Sequence, residues 1–108
     1  MDDFDDRVDD YMARFATPIA SLSGAKRVIA EDLAREYCSI CAQSDELKVR
    51  IREAGYNIKN VQGNIVRNPD VMTHHQLITE KVSIAPKLLK MFDEEKGEED
   101  ELLAFLSK

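Results

Sequence analysis

The chain of 108 residues carries a net charge of −6, with 33% charged and 44% apolar residues. A chain of this length can bury a core without disulfides or a structural metal, and no apolar run reaches the length of a membrane span. The first ten residues include six Asp, whereas secretory and mitochondrial signals need positive charge. We therefore expect neither such a signal nor a membrane span, and we expect a cytoplasmic, helix-rich protein.

The first predicted element is a helix over residues 3–16. Its apolar residues recur at spacings of three and four: Phe4, Val8, Tyr11, Met12 and Phe15. Thr17-Pro18 should end this helix, because the residue before proline is disfavoured in the helical conformation. A short loop, TPIASLSG, is expected to follow.

A long helix is predicted next, because residues 25–54 contain neither Gly nor Pro. One seam of this helix steps by three and four: Ala30, Leu33, Tyr37, Ile40, Ser44, Leu47, Ile51 and Ala54. Thirty helical residues span about 45 Å, so another helix or a neighbouring subunit must cover the seam. Ser44 interrupts the seam with a polar group, which weakens local packing, and its hydroxyl is a candidate for a hydrogen bond across the seam. Gly55 should end the helix as its C-terminal cap.

The stretch that follows has the composition of two short strands around a turn. Tyr56, Ile58 and Val61 precede Gln62-Gly63-Asn64, and Ile65 and Val66 follow it. Such a hairpin is marginal alone and must lean on helix ends or on another chain. A helix then restarts, because Asn68 can cap it, Pro69 suits the first turn and Asp70 suits the helix dipole.

The second long helix carries a matching stripe: Val71, His75, Ile78, Val82 and Ala85. Pro86 should kink or end this helix, although Leu88, Leu89, Met91 and Phe92 continue an apolar face. The predicted fold is therefore mainly α: a long antiparallel helical hairpin over residues 25–92, with a short β-hairpin inserted between its helices, plus N-terminal and short C-terminal helices. Residues 1–92 should form one helical domain, and residues 93–108 an acidic, partly flexible tail with a short amphipathic segment.

Sites for catalysis or metal binding are weakly indicated. Cys38 and Cys41 have the spacing of a redox or zinc pair, but they lie in mid-helix, so we interpret them as buried core residues. His74 and His75 point about 100° apart on a helix and could not both join them around a metal ion. A nuclease site of Asp70 with either histidine is conceivable, but no catalytic motif accompanies it. We therefore predict neither an enzyme nor a cofactor.

Charge is divided unevenly along the chain. Residues 1–23 hold six acids and two bases (−4), residues 24–92 eight acids and eleven bases (+3), and residues 93–108 seven acids and two bases (−5). The densest basic group is Lys48, Arg50, Arg52, Lys59 and Arg67. If the hairpin folds back over the helix end, these cations share one rim that could contact phosphates. The alternative is a solvated face balanced by nearby acids.

The layout around the hairpin resembles a known family. Three features carry the resemblance: the break at Glu53-Ala54-Gly55, the hairpin ending in Gly63-Asn64-Ile65-Val66 and the restart at Arg67-Asn68-Pro69. In this layout the chain is similar to small terminase subunits of tailed bacteriophages, in the branch whose helical-hairpin core is capped by strands. The resemblance covers about residues 25–92. Ser83-Ile84-Ala85-Pro86 departs from the Gly-Leu-Thr-Pro that commonly closes the second helix in that family.

The resemblance implies a non-catalytic DNA-packaging protein of the host cytoplasm. Such subunits form rings, recognise double-stranded viral DNA and deliver it to the large subunit, which holds the ATPase and nuclease. We expect a homo-oligomer, most simply a ring, whose subunits contact one another along the helix seam. The seam residues are Leu33, Tyr37, Ile40, Leu47, Ile51, Val71, Ile78 and Val82. The terminal residues Leu102, Leu103, Phe105 and Leu106 are candidates for docking on the large subunit. The alternatives are a small helical interaction adaptor and a dimeric DNA-binding regulator of phage origin.

Overall fold

The computed structural model describes the backbone of residues 3–106 and the side chains of residues 3–93. In chain order its elements are α1 (Asp3–Ala13), α2 (Ala16–Ala20), α3 (Gly24–Ala54), β1 (Asn57–Lys59), β2 (Ile65–Arg67) and α4 (Pro69–Leu106). Helices account for 79% of the chain, and the two-stranded β-hairpin lies between α3 and α4. The predicted mainly α fold is thereby confirmed.

The N-terminal region differs from the prediction in its helix boundaries. α1 ends at Ala13, and Thr17 and Pro18 lie inside the short helix α2 rather than in a loop. Proline is tolerated there because Pro18 falls in the first turn of α2, where an amide would have no partner within the helix. Helix α2 places Ile19 in the core, with a relative exposure of 7%.

The C-terminal region also differs, because α4 continues through Pro86 to Leu106. Pro86 is exposed, so the carbonyl that loses its amide donor can bind water instead. The predicted acidic tail therefore belongs to the same helix as far as Leu106, and it forms no separate short helix. Residues 107–108 of that tail lie outside the described residues.

The β-hairpin begins after Gly55, which ends α3 as predicted. Gly55 ends α3 with a φ of +90°, and its amide donates to the carbonyl of Ile51 at 2.6 Å. The strands pair antiparallel, with Ile58 opposite Val66. Asn60 holds the turn, because its Oδ1 accepts from the amides of Gln62 and Asn64 at 3.0 Å each. Val61 lies in this turn, not in a strand as predicted, and is fully exposed.

Asn68 connects the end of α3 to the start of α4. Its side-chain amide donates to the carbonyl of Gly55 at 2.9 Å, and its Oδ1 accepts from the amide of Asp70 at 3.0 Å. The backbone amide of Asn68 also donates to the carbonyl of Tyr56 at 2.7 Å. With 3% exposure, Asn68 caps α4 as predicted and also fixes the hairpin against the end of α3.

The core lies on two sides of α3. On one side α1 packs through Val8 against Cys38 and Ala42. On the other side α4 packs through Leu77 near Ile40 and Leu47, and through Leu88 near Ala34 and Ile19. Phe15 joins the two sides, since its ring lies 5.8 Å from Tyr37 and 6.2 Å from Phe92 between centroids.

The face of α4 that meets α3 is rotated from the predicted stripe. Its inner stripe, which faces α3, consists of buried or half-buried residues: His74, Leu77, Lys81, Ile84 and Leu88. Val71, Ile78 and Ala85 of the predicted stripe are half-buried, whereas His75 and Val82 are exposed, Val82 by 64%. The prediction that His75 and Val82 face α3 within one chain was therefore wrong.

Candidate nucleic-acid interface

A cleft of about 470 Å³ lies at the end of the molecule where α3 meets the hairpin. Its lining includes the cations Lys48 and Arg52, one turn apart on α3, with Tyr56 and His74 beside them. No carboxylate lines this cleft. Neither cation has an ion-pair partner among the residues whose side chains are described. Their positive charge is consequently available to an anion from solution.

A second cleft, of about 250 Å³, adjoins the first at Val71. It is lined by Arg67, Met72 and His75 as well as Val71, again without a carboxylate. The strand register places Asn57 opposite Arg67 and Lys59 opposite Ile65, so Lys59 and Arg67 share one face of the hairpin. We call Lys48, Arg52, Lys59 and Arg67 together the cationic end.

Arg50, the fifth predicted basic residue, lies on another side of the molecule. Its guanidinium donates to the Asp70 carboxylate at 2.8 Å, and both residues line a separate cleft with Glu53 and Ile58. Asp70 therefore competes with any phosphate for Arg50. The structure places Lys48, Arg52 and Arg67 in clefts that no described carboxylate lines. It places Lys59 on the same hairpin face as Arg67 and separates Arg50 from the other four.

Two residues of the first cleft were not predicted as part of it. His74 is half-buried, and its Nε2 is buried without a hydrogen-bond partner. Tyr56 is 68% exposed beside the two cations. The sequence signal for Tyr56 is indirect: it directly follows the capping Gly55 and is four positions after Arg52. An exposed ring beside two cations is suited to contact a sugar or a base.

The cysteines are buried within α3, as predicted. Burial, followed by the nearby Cys41, raises the pKa of the Cys38 thiol to about 11, so the reactive thiolate is scarce at neutral pH. Among residues 3–93 no group of three or more His, Cys, Asp or Glu side chains is placed to hold a metal ion.

Ser44 is buried, but its hydroxyl has no hydrogen-bond partner, so the predicted hydrogen bond across the helix seam does not form.

The predicted oligomer seam is largely occupied within the single chain. Ile40 and Leu47 are buried, and Leu33, Tyr37, Ile51, Val71 and Ile78 are half-buried. Val82 is the exposed member of this set, at 64%, and so has the largest exposed fraction available to a second copy. The predicted docking residues Leu102, Leu103, Phe105 and Leu106 fall in α4, but their side chains lie outside the described ones.

No helix in the described part of the chain is both long and apolar enough to cross a membrane. Comparison with protein families found no match, and searches of curated proteins and of solved structures found none either.

Proposed function

We propose that this protein is the non-catalytic DNA-recognition and regulatory subunit of a phage DNA-packaging terminase. In this function it forms a homo-oligomer, a ring above all, binds double-stranded viral DNA in the host cytoplasm and delivers it to the large subunit. The observation that carries the proposal is the cationic end, where Lys48, Arg52 and Arg67 line clefts without a carboxylate among the described side chains. The helical hairpin capped by two strands agrees with the resemblance on which the packaging role depends.

The arrangement suits contact with the DNA backbone. Lysine and arginine side chains that neutralise phosphates release condensed counterions, so affinity falls as salt rises. The four cations of the cationic end lie on α3 and on the two strands of the hairpin. Asn68, buried and hydrogen-bonded on both sides, joins the end of α3 to the hairpin and the start of α4. The cations are thus presented by a fixed framework. Two of these cations lie near a helix end and two on a hairpin, and we expect them to contact mainly the DNA backbone.

The acidic segments have a complementary role in the proposal. Residues 93–101 contain seven acids and one lysine, and like charge keeps this part of α4 away from DNA. We propose that DNA meets the cationic end while Leu102, Leu103, Phe105 and Leu106 dock on the large subunit. One molecule then holds DNA and the large subunit at opposite ends of a particle 72 Å long.

The proposal is tested by the salt dependence of duplex DNA binding, followed by fluorescence anisotropy. We expect the logarithm of the association constant to fall with the logarithm of salt concentration at about −0.9 per phosphate contacted. The double variant Lys48→Gln/Arg52→Gln should bind roughly tenfold more weakly, with a slope reduced by about two. The control Arg27→Gln/Lys87→Gln loses the same charge away from the hairpin and should retain most of the affinity.

Two results would contradict the proposal. Absence of measurable affinity at low salt would favour the interaction adaptor, and equal losses in the two double variants would show that the cationic end is not the contact surface. Native mass spectrometry of the DNA complex then separates packaging from regulation, because a terminase subunit should assemble into a ring on DNA, whereas a small DNA-binding regulator should form nothing larger than a dimer.

A further inference from the structure

α4 carries a second stripe on the side opposite its inner stripe. This outer stripe steps by three and four along the helix and consists of Met72, His75, Thr79, Val82, Pro86 and Leu89. All six residues are exposed, with Met72, Val82 and Leu89 at 62%, 64% and 60%. None carries a formal charge at neutral pH when histidine is neutral. Leu77 and Thr79, two positions apart, point about 200° apart, which places the stripes on opposite sides of α4.

We propose that the outer stripe is the surface on which a second copy of this chain packs, α4 against α4 and antiparallel. A helix needs apolar residues on one side to pack within its own chain, and the inner stripe supplies them. Regular three-and-four spacing of uncharged residues on the other side has no such use in a single chain. It is the pattern by which one helix packs along another.

The distribution of charge along the chain favours a second copy as the partner of the outer stripe, and it favours the antiparallel orientation of the two copies. In a parallel pair the acidic stretch of residues 93–101 would lie beside the same stretch of the other copy, seven acids against seven. In an antiparallel pair, Thr79 lies beside Val82 of the second copy and Met72 beside its Leu89. The acidic end of each α4 then runs towards the hairpin of the other copy, where Lys59 and Arg67 lie on one face. At both ends of the pair an acidic stretch of sequence therefore runs towards a basic hairpin.

The interface is small. The outer stripe extends over about 26 Å of helix, and stable interfaces bury about 800 Å² on each partner. We therefore expect a dissociation constant in the micromolar range that rises with salt, because the contacts at the two ends are ionic. The pairing itself does not depend on the proposed function. If that function also holds, the acidic end of one copy competes with DNA for Lys59 and Arg67 of the other.

Sedimentation equilibrium of the full chain without DNA tests the pairing. We expect a monomer–dimer equilibrium, or larger assemblies with an even number of copies. Val82→Glu should raise the dissociation constant at least about tenfold, because two carboxylates would be buried near the two-fold axis. Val28→Glu is the matched control, since Val28 is a 61% exposed valine on α3, and its dissociation constant should stay within about twofold of the parent value. A monomer at every concentration, or equal effects of the two variants, would overturn the proposal.

Cysteine cross-linking tests the orientation. In the antiparallel pair a chain with both Met72→Cys and Leu89→Cys should form an intermolecular disulfide, whereas neither single variant should. In a parallel pair each single variant would cross-link with itself, and this result would overturn the antiparallel arrangement. The parent chain serves as the blank, because Cys38 and Cys41 are buried. DNA binding is not measured in either experiment, so its failure would leave both results interpretable.

Discussion

The two sides of α3 are covered in different ways. α4 covers one side along most of its length, through an apolar seam that includes Leu77 and Leu88. The other side is covered by α1, a helix of 11 residues with one buried side chain, Val8. A hydrogen bond from the Tyr11 hydroxyl to Asp45, 2.5 Å long, supplements the α1 contact.

The polar atoms of the two sides differ as well. The α4 side contains two buried polar atoms without partners, Ser44 Oγ and His74 Nε2. On the α1 side the Tyr11 hydroxyl is paired, and the Arg14 guanidinium lies over its ring at 4.9 Å. A long apolar seam can tolerate unpaired polar atoms because its buried area outweighs their cost. A helix of 11 residues is marginal alone and depends more on each individual contact.

The largest effect on stability is expected from Leu88→Ala, which truncates a buried side chain on the α4 side of α3. Leu88 is 2% exposed where α2, α3 and α4 meet, and truncating a buried leucine costs about 2–5 kcal/mol of unfolding free energy. Urea denaturation measures this loss. The adjacent Leu89, 60% exposed, is the control, and Leu89→Ala should change stability by at most about 0.5 kcal/mol at low protein concentration. Similar losses in both variants would contradict the assignment of the inner stripe.

A gain in stability is expected from Ser44→Ala. The substitution removes a buried hydroxyl that has no partner, which relieves a desolvation cost of about 1 kcal/mol. Alanine also has the higher helix propensity, so Ser39→Ala on the same helix is the matched control. The Ser39 hydroxyl accepts a hydrogen bond from Gln43 at 3.2 Å, and its removal should gain less. Equal changes in the two urea midpoints would show that propensity alone is responsible.

Much of this fold could be predicted from the sequence because local chemistry decides it. Gly55 had to adopt a positive φ at a helix end, and Asn68-Pro69 had to cap the next helix, and both do so. The role of Asn60 could not be predicted in the same way. Asparagine is common in turns for several reasons, and only the geometry of the turn shows that its Oδ1 accepts two amides.

The covered face of α4 could not be chosen from periodicity, because this helix has two stripes with the same spacing. The inner stripe contains His74 and Lys81 and therefore looks polar in the sequence. In the structure the Lys81 ammonium lies 5.5 Å from the centre of the Tyr37 ring, so its stem packs while its charge contacts the ring. For the cationic end, the sequence could group the bases but could not show that Asp70 binds Arg50.

The smallest predicted effect is a pH dependence confined to the α1 side. The hydrogen bond to Asp45, burial and repulsion by the same carboxylate raise the pKa of Tyr11 from 10.0 to about 12. The folded protein therefore holds the phenol proton more tightly than the unfolded chain does. The stability this provides is complete below pH 10 and is lost as the pH rises from 10 to about 12.

Urea midpoints measured over this pH range detect the loss when wild type is compared with Tyr11→Phe. The difference between the two should shrink towards high pH, because wild type loses the contribution of Tyr11 and the variant has none to lose. The effect should be small, since Tyr11 is only half-buried and water screens its interaction with Asp45. Tyr56→Phe removes an exposed tyrosine and should follow the wild-type curve. A constant difference between wild type and Tyr11→Phe across the range would show that the hydrogen bond to Asp45 does not stabilise the α1 side.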